Sequence, residues 1–279
     1  MLVELAVGDA YGAGFEYAEP GFVAAHNDVA GYRQHPGHTD LAPGQYTDDT
    51  QMTLAVAELL VDGALWTPEV LADKFVEVFH RDPRAGYASR FHALLSEVHT
   101  GAELLDRLRP ESDKSGAAMR ATPIGLLPTV GDVLHHAAVQ ARVTHDTPAG
   151  VASAQAAALA AYYCRHDLGP LTGVGAWVSS VLDDDWATPW EGPVGSKGSM
   201  SVRAALTAMG AGGLTDILGA CVAFTGDVDT VATVALGAAS LAVPSDLPAS
   251  LVDDLENGRY GRDHLTALDT RLVTPRLAG

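Results

Sequence analysis

Apolar positions along this 279-residue chain recur at helical spacing, and runs of alternating β-branched residues are absent. Residues 3–13 read as a helix of small residues. Residues 17–46 read as a loop, punctuated by Pro20, Gly21, Gly31, Pro36, Gly37, Pro43 and Gly44. A loop of that length inside a compact domain is often a lid or binding loop. Residues 50–62 carry Leu54, Val56, Leu59 and Leu60 at helical spacing, with Gly63 as a stop. Pro68 opens the next helix, which ends before Pro83. Further helices are predicted over 86–99, which Gly101 ends, and over 131–143, 148–165, 170–182, 199–209, 214–223 and 229–242, with short ones closing the chain. Residues 116–127 read as a shorter apolar segment. Residues 106–115 and 183–198 read as polar loops. No stretch divides the chain, so a single domain over residues 1–279 is expected, and no repeat of fixed period occurs.

Composition supports the helical reading. The chain is 47% hydrophobic but only 6% aromatic, and its small apolar residues suit closely packed helices. The formal net charge of -18 repels nucleic-acid backbones and anionic membranes. No nucleic-acid or membrane partner is expected. Any phosphate-bearing ligand would need cations or backbone amides to offset that field. Cys164 and Cys221 stand in apolar helical contexts with no metal-ligand spacing, so reduced buried thiols are expected. The N-terminal segment lacks a signal-peptide pattern, and no window holds the roughly 20 apolar residues of a membrane span. These features lead us to expect a cytoplasmic protein, taken as a monomer. His26, His35 and His38 lack the regular spacing of metal ligands and are expected to be solvated loop residues.

Two short motifs carry more chemistry than helix capping requires. Thr47-Asp48-Asp49-Thr50 and Asp227-Val228-Asp229-Thr230 each stand where a loop enters an apolar helix. Asp and Thr are favoured N-cap residues. One cap uses one side chain, however, and each motif offers two carboxylates and at least one hydroxyl. Carboxylates packed together are unfavourable without compensating positive charge. The two helix starts are therefore expected to converge on hard divalent cations, Mg²⁺ or Mn²⁺, in a binuclear site.

Five segments in order resemble the ADP-ribosylglycohydrolase family. They are Gly8-Asp9-Ala10-Tyr11-Gly12 with Gly14-Phe15-Glu16, then Thr47-Asp48-Asp49-Thr50-Gln51-Met52, then Ser115-Gly116-Ala117-Ala118-Met119-Arg120, then Thr144-His145 with Pro148, and Gly226-Asp227-Val228-Asp229-Thr230. The resemblance implies a compact all-α, orthogonal multi-helix bundle with two Mg²⁺ ions between helix N-termini, and it assigns metal binding to Thr47, Asp48, Asp49, Asp227, Asp229 and Thr230. It also implies hydrolysis of the C1″ glycosidic bond of ADP-ribose attached to a protein side chain, nucleobase or small molecule.

On that basis Glu16 is the candidate general acid/base or ribose-orienting carboxylate. Asp48 and Asp229 are candidates for both metal binding and catalysis, and Asp113 is a weaker acid/base candidate. Ser115, Gly116, Ala117, Ala118, Met119, Arg120 and His145 are expected to bind substrate, with backbone amides of a helix start at 116–118 receiving phosphate. Tyr46, Tyr87, Trp186 and Trp190 are available for adenine. One departure stands out: Lys114-Ser115-Gly116 replaces the family's common Gly-Asn-Gly, which removes an amide's contacts. Two rival readings stay open, a catalytically silent ADP-ribose-binding or crystallin-like protein and a two-metal nucleotide phosphoesterase.

Overall fold

A helix that is apolar on every side must be buried on every side. The segment Val228–Ala239 (VDTVATVALGAA) is such a helix, and every one of its residues is buried. In the computed structural model, which describes residues 1–273, it forms the centre of an all-α protein.

The helices run in chain order as α1 (Leu2–Ala13), α2 (Pro20–His26), α3 (Asp48–Asp62), α4 (Pro68–Arg81), α5 (Ser89–Glu97), α6 (Gly101–Arg107) and α7 (Val130–Arg142). They continue as α8 (Pro148–Arg165), α9 (Val174–Leu182), α10 (Gly198–Ala208), α11 (Leu214–Ala223), α12 (Val228–Ala239), α13 (Ala249–Asp253) and α14 (Arg262–Val273). Helices α1, α3, α8, α10 and α11 surround α12. Short 3₁₀ turns fill gaps between helices, and the described residues hold no sheet, only isolated bridges such as Val194–Gly226 and Glu111–His145. One continuous hydrophobic core joins the described helices; residues 274–279 of the expected domain lie outside the described residues.

Several expected boundaries are corrected. The 17–46 loop contains α2, which Pro20 starts and which buries Val23. The predicted 86–99 helix is shorter, and Gly101 starts α6 instead of ending its predecessor. Thr100 explains this: its hydroxyl accepts from the Glu103 amide at 3.2 Å, while Glu103 accepts from the His99 amide at 2.7 Å. The pair is a variant of the capping box in which Glu103 reaches the residue before the cap, and it outweighs the helix-breaking tendency of glycine. The 116–127 segment is not one helix. It forms two 3₁₀ turns, Ser115–Ala117 and Thr122–Leu126, where Pro123 denies an α-helix its next hydrogen bond. His35 is buried, not solvated, whereas His26 and His38 are exposed as expected.

A close helix approach lies beneath the site. Gly8 and Gly12 lie one turn apart on the face of α1 that meets α12. A Cβ at Gly8 would stand 2.6 Å from the Ala232 carbonyl oxygen, and one at Gly12 would strike the Asp229 backbone. Alanine is intrinsically better in a helix by about 1 kcal/mol. The close approach opposes that preference, because α1 and α12 would have to separate. Gly12→Ala is therefore expected to lower unfolding free energy by roughly 1–3 kcal/mol, read as a lower urea midpoint at unchanged slope. A stability gain would show that the approach carries no strain.

Candidate functional site

Four helices are capped in the ordinary way. Thr67, Thr100, Thr129 and Thr147 each accept a hydrogen bond from an amide in the first turn of α4, α6, α7 and α8. Neither acidic motif behaves like this: Thr47 and Asp227 occupy the N-cap positions of α3 and α12, yet their side chains make no cap bond to their own helices.

At α3 the cap is supplied from another helix. Asp9, fully buried on α1, accepts from the Thr47 amide (3.0 Å), Thr47 Oγ1 (2.7 Å), the Thr50 amide (2.9 Å) and Thr50 Oγ1 (2.6 Å). Asp9 thus does the capping that Thr47 would otherwise do, and Asp48 and Asp49 line the cleft above. The Asp48 amide donates to the Ala85 carbonyl at 3.0 Å. Gly86, at φ +102°, leaves the Asp48 carboxylate a space that any Cβ would fill.

At α12, Asp227 accepts from Ser201 Oγ at 3.1 Å and from the Ser115 hydroxyl, and Asp229 Oδ1 accepts from the Thr230 amide at 2.9 Å. The Thr230 hydroxyl stands near enough to Asp49 to favour its charged form, which brings the two helix starts to one place. Glu16 is brought in by its neighbours. The Tyr17 amide donates to the Gly226 carbonyl at 2.8 Å, and His35 holds the Glu16 carbonyl through Nε2 at 2.8 Å. His35 Nδ1 accepts from the Gly37 and His38 amides, so its proton sits on Nε2. Carboxylate oxygens of Glu16, Asp227 and Asp229 lie within 4.8 Å of one another.

The electrostatics are those of a site built for positive charge. Asp48, Asp49 and Asp229 are held well above the usual carboxylate range, chiefly by burial and then by one another and the neighbouring carboxylates. Burial likewise raises Asp9 and Asp227. Glu16 is pushed up to about 7 by burial, then by Asp227 and Asp9. Asp49 Oδ1 is buried with no hydrogen-bond partner, the kind of orphan that requires an explanation. Oxygen donors at this density, with one lone-pair set unclaimed, fit a hard divalent cation.

The facing wall carries the remaining candidates, not all in the expected positions. Ser115, Gly116, Met119, Arg120 and His145 line the cleft, whereas Ala117 and Ala118 are fully buried behind it. A single 3₁₀ turn, not an α-helix start, presents Gly116. Arg120 is buried against the Phe75 ring at 4.3 Å and donates to Gln140 and to Thr144 Oγ1 at 2.8 Å. Its charge is thus engaged by protein groups. Burial lowers it to about 9, so it stays protonated at neutral pH.

Thr144 Oγ1 accepts from Arg120 and shares a 2.6 Å hydrogen bond with His145 Nδ1, in which we take the hydroxyl as the donor. The His145 proton then sits on Nε2, close to where a side chain at Gly116 would stand. Burial, then Arg120, lowers His145 to about 3. It is a neutral donor at every physiological pH. Asp113 is paired with Lys197 at 3.1 Å and does not line the cleft.

Thr47 also stands outside the lining, its hydroxyl proton given to Asp9. Of the aromatic candidates only Tyr87 lines the cleft. Trp186 is buried in the core, and Tyr46 lies under Arg84 at 4.0 Å. Tyr17 and Phe91 line it instead. Sequence reasoning missed Asp9, Thr50, His35 and Gly86 as site residues. Asp9 had a signal, its place in the first motif, but nothing local revealed that it caps α3.

The Glu16 shift fixes a pH dependence. Its folded value, about 7, lies above the ordinary 4.5, so its contribution to stability is complete below pH 4.5 and lost as pH rises through about 7. Metal-free protein is expected to melt at a lower temperature at pH 8 than at pH 5.5. Mg²⁺ should restore the loss, and Glu16→Gln should reduce the decline. An equal decline in Glu16→Gln would remove Glu16 from the coupled cluster.

Comparison with known proteins gives this geometry a context. The chain is 32% identical over 148 residues to the ADP-ribosyl-[dinitrogen reductase] glycohydrolase of Rhodospirillum rubrum, covering 52% of this chain and 49% of that protein. It is 29% identical over 136 residues to ADP-ribosylhydrolase ARH3 of Xenopus tropicalis, covering 46% and 39%. These matches span about half, or less, of the length of the curated relatives. A solved structure described as an ADP-ribosylglycohydrolase-related protein complex superposes with a TM-score of 0.72 at 24% identity, covering 97% of this chain and 94% of that one, and so shares the fold. The sequence pattern of the ADP-ribosylglycohydrolase family matches residues 1–278, and the chain belongs to that family.

Proposed function

We propose that the cleft binds two divalent cations and hydrolyses the glycosidic bond between C1″ of ADP-ribose and its acceptor, releasing free ADP-ribose. The observation that carries this reading is the buried cluster of Glu16, Asp48, Asp49, Asp227 and Asp229 at one end of a cleft of about 1010 Å³. Family membership supplies the reaction class. Asp48, Asp49, Asp227, Asp229 and Thr230 would hold the cations, with Thr47 supporting them through Asp9. When bound, Mg²⁺ or Mn²⁺ supplies Lewis-acid polarisation and a fixed seat for ribose hydroxyls.

Cleavage of a ribosyl bond builds positive charge at C1″, and carboxylates around that point stabilise it. Glu16 is the proton-transfer residue in this reading. Its raised pKa lies near neutral pH, where a general acid/base works best, and it lies within 4.8 Å of Asp227 and Asp229. His145 would donate from Nε2 to an oxygen of the nucleotide, its orientation held by Thr144 and Arg120. Gly116 lets the ligand pass close to the backbone, and Tyr17 and Tyr87 supply ring surface. Ser115 is turned to Asp227, so in place of the family's amide it serves the carboxylate end of the cleft.

The test is incubation with ADP-ribosyl-arginine, ADP-ribosyl-serine and O-acetyl-ADP-ribose, with Mg²⁺ or EDTA, with products resolved by mass. Mg²⁺-dependent release of ADP-ribose is expected. Asp229→Asn and Asp49→Asn are expected to abolish it with helical content intact, and Glu16→Gln to cost about 100-fold or more in kcat. AMP and ribose phosphate would instead indicate attack at phosphorus, and near-normal turnover of Asp229→Asn at limiting Mg²⁺ would overturn the metal reading.

A further inference from the structure

The lining of the cleft holds basic residues besides the carboxylate cluster. From Asp48 its wall runs through Gly86, Tyr87 and Ala88 to Arg90 at the start of α5. From Asp227 and Ser115 it runs through Lys114 and Ser112 to Arg109, with Arg107 at the end of α6. Apolar surface from Phe91, Leu94 and Leu108 lies along the same wall.

Lysine and arginine number 17 against 35 acidic residues in the whole chain, yet three exposed arginines gather on this one rim. They are not there to neutralise the carboxylates. The groups acting most strongly on Asp48, Asp49 and Asp229 are the cluster's own members, and the basic residue acting on Asp227 is Lys114. Nor are the arginines used up in ion pairs. Arg107 meets Glu97, but Arg90 and Arg109 have no carboxylate partner among the described residues. Arg109 makes only long contacts, of 3.3–3.4 Å, to backbone carbonyls. The cleft, about 1010 Å³, reaches the upper limit of ordinary small-molecule sites, roughly 300–1,000 Å³, which leaves room for part of an acceptor beside a dinucleotide.

Resting on the hydrolase reading above, we propose that Arg90, Arg107 and Arg109 form a rim that reads the acceptor, selecting ADP-ribosylated peptides with carboxylates beside the modified residue and disfavouring cationic ones. Guanidinium groups pair with carboxylates through two parallel hydrogen bonds and repel a lysine- or arginine-rich segment. A short peptide feels this local rim, whereas an extended polyanion meets the -18 charge of the whole surface.

The test uses two peptides with the same ADP-ribosyl-serine, one flanked by glutamates and one by lysines, with free ADP-ribose as the control. Release is followed in wild type with Mg²⁺, and binding by calorimetry in Glu16→Gln, where turnover is suppressed. The acidic peptide is expected to bind about tenfold tighter at low salt, with the difference shrinking as salt rises. Arg90→Ala/Arg109→Ala should erase that difference and Arg90→Glu/Arg109→Glu reverse it. Both sites are exposed, so circular dichroism should show an intact fold. Affinity for free ADP-ribose should not change. Equal binding of the two peptides would overturn the proposal. So would a parallel loss of ADP-ribose affinity in the arginine variants, since the arginines would then hold the dinucleotide's own diphosphate. A charge preference in binding without any release would support the rim and count against hydrolysis alone.

Discussion

Carboxylates buried beside one another repel, and each loses the water that would stabilise its charge. The cleft of this protein concentrates five of them, and the surrounding architecture keeps them from relaxing apart. Asp9 anchors the start of α3 through four hydrogen bonds, α1 is pressed against α12 through Gly8 and Gly12, and Tyr17 is tied to Gly226. With those constraints in place the carboxylates have two ways to lower their energy, protonation or a bound cation. The raised pKa values describe the first and the orphaned Asp49 oxygen fits the second.

The support around this cluster is itself polar and buried, and it works by fixing proton positions. His35 accepts two amides on Nδ1 and therefore donates to the Glu16 carbonyl from Nε2. Arg120, Thr144 and His145 form a second directed chain, which ends in a neutral N–H at the opposite wall. A charged arginine held without a carboxylate partner is costly unless its donors are satisfied. Here Gln140, Thr144 and the Phe75 ring satisfy them. The cleft thus combines a negatively charged end, whose protonation responds to pH and metal, with a wall whose hydrogen-bond donor does not titrate near neutrality.

Much of this was legible from residues alone. The all-helical class followed from spacing, and the same spacing predicted a helix over 229–242, where α12 stands. The doubled acidic motifs were read as one site because two carboxylates exceed what a single N-cap can use, and the structure places Asp48, Asp49, Asp227 and Asp229 around one cleft. Boundaries at Gly101 and along 116–127 were misread, since a capping box and a proline outweigh the average tendency of their neighbours.

What the sequence determined by itself is therefore the set of oxygen donors and the helices that carry them, because both depend on residues close together in the chain. Tertiary structure decided which donors are free. Thr47 and Thr50 look equivalent to the aspartates between them until Asp9, 38 residues or more away, claims their hydroxyls. His35 looks like a solvated loop residue until the fold buries it under Glu16. The arginines at 90, 107 and 109 look scattered until α5 and α6 bring them to one rim. Hydrogen bonding and charge act through space over a few ångströms, and only the folded chain fixes which groups come within that reach.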